Sequence, residues 1–89
     1  MFYSVSSPCP NVHIVRFHPD PLTPYDRGIV VTEQDSGTTL FLELWIGKPL
    51  TSREWRDARD TLFPAAKRIR FYRRDLKTGM DREVVLNIR

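Results

Sequence analysis

Apolar and polar residues alternate along most of this chain, and one stretch switches to helical spacing. In residues 11–18, NVHIVRFH, positions Val12, Ile14 and Arg16 alternate with His13, Val15 and Phe17, the two-residue period of a strand. Residues 28–34 and 38–46 continue the pattern on either side of Asp35, Ser36 and Gly37, whose turn chemistry predicts a hairpin. Strict alternation over 38–46 puts Leu40, Leu42, Leu44 and Ile46 on one face and Phe41, Glu43 and Trp45 on the other. The leucine face is expected to be core. The Phe41 and Trp45 face is either covered by the N-terminal residues or open to a partner.

The helix has the fullest set of signals. Thr51 as N-cap with Glu54 three residues on makes a capping box, and Leu50 with Trp55 suits a hydrophobic staple. Trp55, Ala58 and Leu62 then share one side. Pro64 ends the helix, because the residue before a proline is pushed out of helical geometry. Arg53 with Asp57 and Arg56 with Asp60, each four apart, predict a solvated face carrying weak ion pairs.

The last quarter holds a basic strand, KRIRFYRR, a turn, DLKTG, and a second strand, REVVLNIR. Setting Phe71 opposite Val84 and Ile69 opposite Leu86 puts the apolar residues of both strands on one face. A slip of one residue sets Phe71 against Glu83, so the first register is expected. Gly79 supplies the left-handed residue of the loop. Two segments resist regular structure: PDPLTPYD, rich in proline, predicts a stiff loop, and SSPCP rules out a central strand near the N-terminus. Residues 1–10 are therefore expected to form an arm or edge strand. The expected architecture over 1–89 is a single small α+β domain: an antiparallel sheet of about five strands with one packed helix, order βββαββ, with an extra short N-terminal strand as a variant.

Length and composition narrow this further. The chain has 89 residues, room for one modest core. A lone cysteine, Cys9, allows no internal disulfide, no apolar run is long enough to span a membrane, and the first residues lack a secretory pattern, so a cytoplasmic protein is expected. The net charge is only +3, yet residues 1–50 carry three basic and five acidic side chains while residues 51–89 carry eleven and six. Such polarity steers the C-terminal half toward a polyanion or an acidic protein surface.

Candidate chemistry concentrates in the terminal hairpin. Arg68, Arg70, Tyr72 and Arg74 point one way along a strand, with Arg89 at the end of its partner. Arginines at this spacing suit a phosphate backbone, and Tyr72 suits stacking on an unpaired base. The competing view is an exposed face kept soluble by arginines that pair with Glu83. Cys9, His13, His18 and Asp20 lie close in sequence, but His13 and His18 face opposite ways on a continuous strand and no further ligand pair completes a zinc site, so no metal or other cofactor is expected. Asp20 and Asp26 fit turn acceptors better than paired catalytic carboxylates. No nucleotide-binding or hydrolase motif is present, and Gly47 with Lys48 lacks the rest of a phosphate loop. The expectation is a non-catalytic module that contacts nucleic acid, or a complex containing it, through the arginine and tyrosine face. The alternative is a small regulatory or inhibitory protein that docks on a partner protein through the same hairpin, the Phe41 and Trp45 face, or both. Exposed sheet edges also allow a homodimer.

Overall fold

The computed structural model describes residues 2–48 and 50–88. Six strands and one helix follow in the order β1 (Phe2–Cys9), β2 (Val12–His18), β3 (Arg27–Gln34), β4 (Thr39–Gly47), α1 (Ser52–Leu62), β5 (Arg68–Arg74) and β6 (Asp81–Asn87). They form one sheet in sequence order, β1-β2-β3-β4-β5-β6. The α+β class with a single helix agrees with the sequence pattern. Two details differ. The N-terminal segment is a full strand on the sheet edge, where Pro8 sits beside a register shift between Ser6 and Cys9 and costs no interior ladder bond. The sheet is also mixed rather than wholly antiparallel, because α1 carries the chain over the sheet and returns β5 parallel to β4.

The core lies between the helix and one face of the sheet. Val15, Phe17, Ile29, Val31, Leu40, Leu42 and Ile69 are buried there beneath Ala58, Phe63 and Ala66, and Tyr3 closes the β1 side against Phe17. Thr51 accepts the backbone N–H of Glu54, and Glu54 accepts that of Thr51, which completes the capping box. Leu50 and Trp55 pack against the core together, as a staple requires. The terminal hairpin takes the expected register, Phe71 opposite Val84 and Ile69 opposite Leu86, and Gly79 turns it with φ of 71°.

The alternation expected along β4 fails at Leu44. Its φ of 55° makes a bulge that sets three steps of β4, Glu43 to Ile46, against two of β3, Val30 to Gly28. Side chains beyond the bulge therefore change faces. Leu44 and Ile46 are exposed, at 69% and 52%, rather than core. Trp45 turns to the helix side, where it lines a groove with Leu42, Leu50 and Trp55. Phe41 stays on the opposite, open face beside Tyr72. The grouping of Phe41 and Trp45 on one face is thus corrected.

Candidate functional site

The helix covers one side of the six-stranded sheet, and among the described residues no helix or strand lies over the other. Register places Arg68, Arg70, Tyr72 and Arg74 of β5 on it, next to Phe41 of β4 and Glu83 and Val85 of β6. The arginines differ in how firmly they are held. The Arg68 Nε donates to Thr39 Oγ1 at 2.8 Å, and Thr39, fully buried beneath it, also donates to Asp35 Oδ2 at 2.9 Å. Arg70 is held twice, donating from Nε to Glu83 Oε1 at 2.8 Å and from Nη1 to Gln34 Oε1 at 2.6 Å. The bond to Glu83 holds its guanidinium more firmly protonated than usual. Arg74 is 3.8 Å from Asp81, and both side chains are well exposed.

The Arg70 guanidinium carbon lies 5.6 Å from the centre of the Phe41 ring, and Phe41 meets Tyr72 edge to face at 5.8 Å. Phe41 is half-buried and Tyr72 is 54% exposed, so the pair presents an aromatic surface framed by guanidinium groups. On the far side of the same face Arg16 lies over Tyr25 at 5.5 Å and donates to Ser6. The sequence pattern located the arginine row and Tyr72. It missed the Phe41 contact, which depends on β4 and β5 being neighbours across the helix crossover, and no local signal reports that pairing. Arg89 lies outside the described residues.

The two histidines occupy separate places. His13 is on the helix side against Phe63, with ring centres 5.3 Å apart, and bridges Ser7 Oγ at 2.7 Å and Glu33 Oε2 at 2.8 Å. The carboxylate accepts from Nε2–H. His18, on the open side, donates from Nδ1 to the Thr23 carbonyl at 2.9 Å and shares a hydrogen bond with Ser4 Oγ through Nε2, also at 2.9 Å. Both arrangements tie β1 to the rest of the sheet. Among the described residues no group of His, Cys, Asp and Glu converges as a metal site would. Cys9 is exposed on the edge strand. Asp20 caps its own loop, accepting from Thr23 Oγ1 and the Leu22 N–H, and these bonds lower its carboxyl pKa. Asp26 accepts from the neighbouring Arg27. Each carboxylate is thus spent locally.

Comparison with known protein families, curated proteins and solved structures yields no match. The open face must be read from its own chemistry. Among the described residues no helix is long and apolar enough to cross a membrane.

Proposed function

We propose that the protein is a non-catalytic binding module that takes single-stranded nucleic acid, free or within a larger complex, on the open face of its sheet. One observation carries the reading: Phe41 and Tyr72 form an aromatic pair on neighbouring strands of the uncovered face, with Arg68, Arg70 and Arg74 along the same strand. Bases of a single strand stack on such a pair, while arginines at two-residue spacing follow the phosphates. A duplex offers no base face to Tyr72, so single strands bind more tightly. Arg68 and Arg70 are already hydrogen-bonded within the sheet, which pre-orders them, and the ion pair with Glu83 reduces the charge that Arg70 offers. The exposed Arg74 is the freer phosphate contact.

The test is anisotropy of labelled single-stranded and duplex oligonucleotides of random sequence over a salt series. Support is micromolar or tighter binding of single strands, a fall in affinity with salt, and loss of the single-strand preference in Tyr72→Ala. Binding that is unchanged in Tyr72→Ala combined with Arg74→Glu, in a folded protein, overturns the assignment, as does absence of binding at low salt.

A further inference from the structure

The second feature of this fold lies on the helix side, where β4 and β5 part. Among the described residues their parallel pairing is confined to Thr39–Phe41 and Arg68–Arg70, although β4 continues to Gly47 and β5 to Arg74. The bulge at Leu44 bends β4 away at this point. Beyond the last pair, residues 71–74 of β5 pair with β6 on one side and, among the described residues, with no strand on the other. Alternate residues of a strand aim N–H and C=O groups toward each neighbour. The odd-numbered residues of β5 bond to β6, so the free edge consists of the N–H and C=O groups of Tyr72 and Arg74, which meet no strand among the described residues.

The gap is floored by apolar side chains. Leu42, Trp45, Leu50, Trp55, Ile69 and Phe71 line a groove of about 200 Å³. Trp45 remains 49% exposed, and the buried indole N–H of Trp55 has no hydrogen-bond partner. Basic side chains flank the mouth. Lys48 adjoins Trp45 and Leu50 in a neighbouring hollow. On the other side Arg73 follows Ile69 and Phe71 along the same face of β5 and stands directly opposite Arg82 of β6. Two arginines opposed across a hairpin repel, and an anionic group set between them removes that cost.

We infer that this split is a docking site for an extended, acidic segment of a partner protein. The segment adds as a strand along the free edge of β5, seats an apolar side chain among Trp45, Trp55 and Phe71, and brings an Asp or Glu to Arg73 and Arg82. The repeating amide of a peptide matches a strand edge, which the sugar-phosphate chain of a nucleic acid does not, and alternate side chains supply the selectivity. Its side-chain pocket is on the opposite face from Phe41 and Tyr72, but its strand edge is the backbone of Tyr72 and Arg74, so an added strand borders the surface proposed above.

Random peptides of about eight residues, long enough to follow the free edge, would be displayed and selected on the folded protein, and an enriched sequence synthesised. Enriched peptides are expected to alternate apolar with other residues and to carry Asp or Glu. The synthetic peptide should shift tryptophan emission, because both tryptophans of the chain line the groove. Its Kd should rise about tenfold in Trp45→Ala and in Arg73→Glu combined with Arg82→Glu; all three side chains are exposed, and circular dichroism checks that the variants stay folded. N-methylation of the peptide backbone should abolish binding. No enrichment, binding indifferent to these variants, or equal binding after N-methylation overturns the proposal. Light scattering showing a dimer of the protein alone, with Trp45 shielded from quencher, would assign the groove to a second copy and overturn the partner reading.

Discussion

Arg27 at the start of β3 donates to Glu54 in the first turn of α1, and the same carboxylate accepts the backbone N–H of Thr51. One acidic side chain therefore closes the capping box and fastens the helix to the sheet. The hydrogen bond from Arg27 is the main cause that lowers the Glu54 pKa, with the Thr51 N–H next. A carboxyl depressed on folding stabilises the fold above its unfolded pKa, about 4.3, and that contribution is lost as pH falls through the folded value.

Glu54→Gln tests this directly. Glutamine retains an acceptor for the Thr51 N–H, so the capping box survives while the charge is removed. The substitution is expected to lower stability at neutral pH by about 1 kcal/mol, and the difference from the parent should shrink as the pH is taken below about 4. Urea denaturation across an acid series checks it. A deficit constant with pH would mean that the pair contributes nothing through charge.

Much of this fold was legible because local signals agreed. Thr51, Glu54 and Pro64 bound the helix, and the alternation of Ile69 and Phe71 against Leu86 and Val84 fixed the hairpin register. What escaped is long-range or backbone-driven. The left-handed turn at Leu44 has no sequence mark, since leucine is not a residue that favours it, yet it moves Trp45 and Ile46 to opposite faces from those that alternation assigns. The parallel pairing of β4 with β5 is equally silent, because it depends on where the helix returns the chain. For the candidate site, the arginine row was visible as spacing on one strand, whereas Phe41 joined it only through that pairing.

Glycine substitutions should separate two kinds of left-handed position. At Gly47, φ is 80° and an added Cβ would stand 2.0 Å from the Asp26 carbonyl oxygen, which is backbone and cannot swing aside. At Gly79, φ is 71° and an added Cβ would meet nothing within 4 Å. Gly79→Ala is expected to cost about 1 kcal/mol, the conformational penalty alone. Gly47→Ala should cost more than about 2 kcal/mol, because strain and steric overlap combine. Thermal unfolding of the two variants compares them.

Leu44 makes the complementary case, a residue with a side chain held where glycine is favoured. It is 69% exposed, so its removal forfeits little burial. Leu44→Gly should be neutral to stabilising, by up to about 1 kcal/mol, with relief of the left-handed strain set against the added entropy of the unfolded chain. Leu44→Val should destabilise by a similar amount, about 1 kcal/mol, since a β-branched residue fits this conformation poorly. The order glycine, leucine, valine in urea midpoint is the expected result. A reversed order would show that the Leu44 side chain contributes more than its backbone costs.

The open face can be dissected by comparing substitutions that remove charge with one that removes the ring. Arg74 is 72% exposed at its side chain, so Arg74→Ala leaves the fold intact and should weaken single-stranded and duplex binding alike, while flattening the salt dependence by about one phosphate contact. Tyr72→Ala should instead weaken single strands by about 1–3 kcal/mol, the worth of one stacked base, and leave the salt slope unchanged. Arg70→Ala removes the partner of Glu83 and Gln34 and uncovers Phe41, so its effects on binding and stability should be mixed. The comparison therefore rests on Arg74 and Tyr72, whose effects on slope and strand preference are separable. If Tyr72→Ala changed the salt slope and spared the preference, the ring would be acting as a spacer between charges rather than as a platform for a base.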